Sequence, residues 1–170
     1  LSNHDIKCAI NLSGKSIDKP EIIKAILSYR QQFNISATDI CFEITETAAI
    51  GSISKAFAFI EELRTEGFKF ALDDFGAGLS SFNYLKNLPV NYLKIDGSFI
   101  KNVDTDPLDQ AMVKSMADLG QTLSIETIAE YVGSEAIAKH VQGAGVDYLQ
   151  GFHFHKPEPI SNLIDLIRHR

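Results

Sequence analysis

Asp73 and Asp74 close an apolar run in FALDDFGAGLSSF, residues 70–82. Two like charges at the end of a buried strand repel each other and are costly to desolvate, so the pair needs a compensating partner. Other apolar runs end on polar groups too: Asn11, then Glu43 with Glu46, Lys94 with Asp96, Glu130, and Gln150. Capping of a following helix accounts for one or two of these, such as Asp73 before Gly76 and Ser80 or Glu43 before Thr45. It does not account for Asn11, Lys94 or Gln150, and a shared site explains the whole set better. Carboxylates and an amide without His or Cys select hard cations, Mg²⁺ or Mn²⁺ ahead of Ca²⁺. Divalent ions beside Asp73 and Asp74 would relieve the repulsion, with Asp73 able to bridge two ions ~3.5–4 Å apart. Two such ions suit in-line attack on a phosphodiester, one activating water and the other steadying the leaving oxygen. Lys94 then either orients the attacking water or neutralises charge on the transferring phosphoryl group. The turn Gly76–Ala77–Gly78 shapes the site, carries a signal to a partner, or is simply a turn.

The elements that position these residues alternate. Six apolar runs read as strands: IKCAINLS, DICFEITE, FKFALDDF, NYLKIDGSF, TLSIETIAE and VDYLQGFHF. Most are nearly continuous, as expected for parallel strands covered on both faces. Between them lie amphipathic patterns: residues 19–31 with Pro20 in the first turn, and residues 52–67 with Gly67 as a stop. SSFNYLKNLP, PLDQAMVKSMADLG, SEAIAKHVQGAG and SNLIDLIRHR complete the series. Strict alternation predicts a parallel α/β sheet, doubly wound or a (β/α) barrel, with ligands at the C-terminal ends of the strands. Six units are two short of an eight-stranded barrel, so the sheet is open or the start of the domain is absent.

Composition narrows the classes. The chain has 170 residues, one domain's worth, and a net charge of −6 with no Trp. That charge argues against binding long nucleic acid but not against a small phosphorylated ligand whose charge a metal offsets. No apolar stretch approaches a membrane span, and the N-terminus lacks a secretory pattern. Cys8 and Cys41 sit in strand-like runs and read as reduced core residues of a cytoplasmic protein. His153 and His155 share a strand face as a metal pair or, more plainly, as packed or exposed strand histidines. Phe82, Tyr84 and Phe99 read as core before guanine-stacking groups, and Met112 with Met116 as ordinary helix packing.

In this order the motifs NLSG (11–14), FEITET (42–47), LDDFGAGLSSF (72–82), LKIDGSF (93–99), IAE (128–130) and YLQGFHFHKP (148–157) resemble the EAL-domain family of bacterial cyclic di-GMP phosphodiesterases. The resemblance spans nearly the whole chain. It implies a (β/α)8 TIM-like barrel with one antiparallel strand, here as about six βα units, and hydrolysis of cyclic di-GMP to pGpG with Mg²⁺ or Mn²⁺. It further implies that Asn11, Glu43 and Asp73 bind one metal, and that Asp73, Asp74 and Glu130 bind the second. On the same basis Lys94 holds the attacking water, supported by Asp96, with Lys94 and Glu130 as the catalytic pair. Glu46 fixes the loop from Phe75 to Ser81, a loop tied to the dimer and the metal site, and Gln150 with Asp96 lines the substrate pocket. Ca²⁺ is expected as an inhibitor.

Departures from the family pattern shape the remaining expectations. The Glu-x-Leu-x-Arg signature is absent, so residues 1–170 read as an EAL domain without its first strands, inactive alone. Its sheet edges would favour a homodimer or swapped oligomer, with the 107–120 helix a candidate dimer face. A sensor or GGDEF-type domain, and any membrane anchor, would lie upstream in a longer parent. In IAEYVG, Tyr131 stands where the family has glycine, predicting a crowded pocket floor, and Gly133 where it has glutamate. Lys156 stands where arginine is common. These changes leave a second reading, a degenerate EAL domain that binds cyclic di-GMP or a protein without cutting it.

Overall fold

The computed structural model describes residues 7–78 and 82–162, the side chain of Phe82 excepted. The chain runs β1 (Cys8–Leu12), α1 (Gly14–Ile17), α2 (Pro20–Phe33), β2 (Ile40–Thr45), α3 (Glu46–Gly51), α4 (Ile53–Thr65), β3 (Lys69–Phe75) and β4 (Tyr92–Ile95). It continues with α5 (Gly97–Ile100), α6 (Pro107–Leu123), β5 (Glu126–Ala129), α7 (Glu135–Gly143) and β6 (Tyr148–Leu149). The six strands are parallel and lie in sequence order. A doubly wound sheet reverses order at a switch point. This sheet does not reverse, so of the two architectures left open by alternation the barrel type is the one present.

Alternation along the strands separates two faces. Phe42, Ile44, Phe70, Leu72, Leu93 and Ile95 point outward and are buried against Phe59, Ile60 and Leu63 of α4 and Val113 and Met116 of α6. Cys41, Glu43, Ala71, Tyr92 and Ile128 point the other way and line a concave face enclosing about 410 Å³. The apolar sequence pattern is therefore read by the helices, and the polar strand ends by the concave side.

Side chains outside the ladders hold the strand starts. Asn91 Oδ1 accepts from Phe70 N at 3.1 Å. Asp147 Oδ2 accepts from Thr127 N at 2.7 Å and from Thr127 Oγ1 at 2.8 Å, pinning β6 to β5. Gly120 lets α6 close on β5, since a Cβ there would lie 2.5 Å from Thr127 Cγ2 and 2.9 Å from the Ile125 carbonyl oxygen.

Several expectations change. The sixth strand is two residues long rather than spanning 146–154, because the chain turns at Gly151. His153 and His155 therefore share no strand face. His153 Nε2 lies 3.1 Å from Glu135 and His155 Nε2 lies 3.5 Å from Glu158. The helix expected over 80–89 is reduced to a 3₁₀ turn at Phe82–Tyr84, with Ser80 and Ser81 outside the described residues. Pro89 and the two asparagines leave too few helix-forming positions, and Leu85, Leu88 and Val90 are buried without one. α3 and α5 occupy residues read as strand ends and loop, and α6 reaches Leu123. Most of the terminal 161–170 helix pattern lies outside the described residues. Cys8 is exposed on the edge strand β1 and Cys41 is half-buried on the concave face, so neither fills the helix-covered core.

Candidate functional site

The centre of the site is one buried ammonium. Lys94, 3% exposed, rises from β4 and donates to Asp73 Oδ1 at 2.8 Å, Glu43 Oε2 at 2.9 Å and Glu130 Oε1 at 3.0 Å. Its three N–H donors meet three carboxylates from three different strand ends. Burial alone would pull the ammonium pKa down, but its hydrogen bonds to Asp73, Glu43 and Glu130 outweigh it and the net shift is upward. Lys94 is a fixed positive charge.

Strand register explains the convergence. Asn11 pairs with Glu43 across β1 and β2, and Thr45 pairs with Asp73 across β2 and β3. Adjacent strand residues normally face opposite sides. Asp73 and Asp74 escape that rule through a register shift between Leu72 and Phe75, with Asp74 in the left-handed region at φ 55°. Asp74 can thus join Asp73 and Glu130, and carboxylate oxygens of the three all lie within 4.8 Å of one another. Burial, then the neighbouring Asp73 and Asp96 charges, push the Asp74 carboxyl above its ordinary range. Burial also raises Glu130; Lys94 opposes the rise while Asp73 and Asp74 add to it. Four carboxylates around one ammonium leave the cluster short of positive charge. Its donors are all hard oxygens, a set that fits a small divalent cation.

Glu46 serves the loop rather than the cluster. It is 2% exposed, and its Oε2 accepts the Gly76 N–H at 3.1 Å while its Oε1 accepts the Tyr84 hydroxyl at 2.6 Å. Tyr84, read from the sequence as core or stacking group, is thus tied to the loop after Asp74. Nothing in its spacing signals this, because the contact joins residues 38 apart. Asp96 Oδ1 accepts from Ser98 N at 2.8 Å as the N-cap of α5, and Lys94 bonds the three other carboxylates instead. Gln150 borders the concave face, and its backbone bridges Ala129 and Val132. Asn11 is exposed beside Glu43 on the edge strand.

Tyr131 does not crowd the pocket floor as its position in the motif suggests. At φ 55° its ring turns away over Gly97, and the Lys101 ammonium sits 4.6 Å from the ring centroid. The residue as a whole is 61% exposed.

Comparison with known proteins places this geometry. Residues 1–157 match the family model described as EAL domain. The cyclic di-GMP phosphodiesterase PdeB of Shewanella oneidensis is 42% identical over 154 residues, 91% of this chain and 18% of PdeB. The solved structure of the Pseudomonas aeruginosa MucR phosphodiesterase in complex with c-di-GMP superposes with a TM-score of 0.87 at 32% identity, over 92% of this chain and 64% of that one. A calcium and cyclic di-GMP complex of Klebsiella pneumoniae BlrP1 gives 0.83 at 27% identity, over 89% of this chain and 39% of that one. The chain spans about a fifth of the length of the curated relatives it matches.

Proposed function

As the chain belongs to the EAL domain family, we propose that it carries the reaction centre of a cyclic di-GMP phosphodiesterase yielding pGpG. The observation that carries this reading is the Lys94 ammonium enclosed by Glu43, Asp73 and Glu130, with Asp74 alongside. A fold needs no such concentration of buried charge for stability, because a hydrophobic replacement is often as stable.

In this reading Asn11, Glu43, Asp73, Asp74 and Glu130 would hold Mg²⁺ or Mn²⁺. When bound, the cations supply the positive charge that polarises the scissile phosphodiester and the attacking water. Lys94 keeps its proton and directs its N–H donors at the water or at a phosphoryl oxygen, fixing the line of attack. Glu46, itself bonded by the Tyr84 hydroxyl, holds Gly76, so that the bulge carrying Asp73 and Asp74 keeps its shape. Gln150, on the concave face that Glu43 also lines, would contact the nucleotide. Asp96, capping α5, fixes the segment that follows Lys94. Ca²⁺, larger and less demanding in geometry, would fill the site without supporting turnover.

The proposal extends to the assembly and its place. The protein acts as a homodimer or swapped oligomer in the cytoplasm, with a sensor or GGDEF-type domain upstream; the relative MucR is a bifunctional diguanylate cyclase/cyclic di-GMP phosphodiesterase. Among the described residues no helix is long and apolar enough to cross a membrane. The Tyr131 ground for a non-catalytic receptor weakens, because its ring packs over Gly97 and beside Lys101, while Gly133 still favours that reading.

The test is chromatography of nucleotides after incubating the intact protein with cyclic di-GMP and Mn²⁺. Formation of pGpG, abolished by Lys94→Ala, is the expected result. Unchanged cyclic di-GMP would overturn the catalytic reading.

A further inference from the structure

We infer that Lys94 is a resident counter-charge that competes with divalent cations for the carboxylates of this site. The inference rests on the reading of the cluster as a cation site and adds how that site is regulated. Lys94 Nζ already engages Asp73 Oδ1, Glu43 Oε2 and Glu130 Oε1 at 2.8–3.0 Å. Asp73 and Glu130 are also two of the three residues whose oxygens gather within 4.8 Å. Asp73 Oδ1 is shared further, since the Asp74 N–H donates to it at 3.1 Å.

An entering Mg²⁺ takes oxygen ligands at close to 2.1 Å in near-octahedral order. Lys94 already draws on the charge of Glu43, Asp73 and Glu130 through all three ammonium donors, and in this inference the cation draws those carboxylates away from Lys94 as it binds. The exchange has two consequences. Without cation, the lysine offsets part of the repulsion among Glu43, Asp73, Asp74 and Glu130 and allows the strand ends to stay together. With cation, the released N–H donors become available to whatever enters the site. The lysine thus sets the cation concentration at which the site fills, and couples filling to its own release.

The measurement is Mn²⁺ affinity by electron paramagnetic resonance, with thermal unfolding followed with and without Mn²⁺. It compares the unaltered chain, Lys94→Met, which removes charge and donors, and Lys94→Gln, which removes the charge but keeps two N–H donors on a shorter side chain. Both variants are expected to bind Mn²⁺ at least roughly tenfold more tightly, because the competing charge is gone. Both are expected to melt lower than the unaltered chain without cation and to gain more in Tm on its addition. A variant that folds only once Mn²⁺ is supplied supports the inference by the same linkage. Variants that bind Mn²⁺ no tighter than the unaltered chain, or that stay unfolded at saturating Mn²⁺, overturn the competition while leaving the cation site standing. Mn²⁺ bound by none of the three overturns both.

Discussion

Asp73 and Asp74 show what a residue-level reading reaches and where it stops. Their adjacency at the end of an apolar run points to the site, because paired like charge there needs a reason; in the structure Asp73 is buried and Asp74 exposed. How neighbours on a strand come to share one side was not legible, since that depends on the register shift and the positive φ of Asp74. A non-glycine residue there carries a backbone cost of about 1–2 kcal/mol. Asp74→Gly is therefore expected to hold or raise stability by up to about 1 kcal/mol, while Mn²⁺ binding weakens. Urea unfolding and Mn²⁺ titration of the same sample check the two halves of that prediction. The cysteines give a pH test. Burial, then the Glu43 charge, push the Cys41 thiol up to about 12. The thiolate is the reactive form, so at pH 8 only about one Cys41 in ten thousand is reactive. Peptide mapping after iodoacetamide treatment at pH 8 should show exposed Cys8 modified and Cys41 spared, with Cys41 labelling rising as pH approaches 12. Early, equal labelling of both would contradict the buried position of Cys41.

At the scale of elements, the strand and helix alternation was readable because long amphipathic segments such as α2, α4, α6 and α7 carry clear periodicity. Short elements were not readable. α3 and α5 are defined by Thr45 and Asp96 as caps and by packing from distant residues, which no local pattern contains. The end of β6 was misjudged for a similar reason: QGFHF has strand composition, yet Gly151 turns the chain. A Cβ on Gly151 would lie 2.3 Å from both the backbone nitrogen and oxygen of Val132. Val132 in turn bonds Gln150 and His153 through its backbone. Gly151→Ala should cost about 2–4 kcal/mol in urea unfolding, since backbone rather than a flexible side chain must move. Gly143→Ala, at the end of α7 with nothing within 4 Å, is the control and should be neutral or stabilising by up to about 1 kcal/mol. Asp147→Ala removes both acceptor bonds to Thr127 and should loosen β6, seen as faster amide exchange at Thr127 and Leu149.

Across the whole molecule, the order of six parallel strands sends apolar side chains to the helices and brings Glu43, Asp73, Lys94 and Glu130 together at one edge. Polar strand ends alone pointed to that edge, because the topology of parallel α/β proteins makes it the place where groups converge. Strand order was not legible from alternation, which fits open and barrel sheets equally. The central claim is that this edge gathers Asp73, Asp74 and Glu130 around a divalent cation, with Lys94 beside it. Its most direct test is a crystal of the protein equilibrated with Mn²⁺ and measured at a wavelength where manganese scatters anomalously. The account predicts an anomalous peak bounded by Asp73, Asp74 and Glu130, with Lys94 Nζ displaced from at least one of its three carboxylates. A map without a peak there, and Lys94 still bonded to Glu43, Asp73 and Glu130 at saturating Mn²⁺, would contradict it.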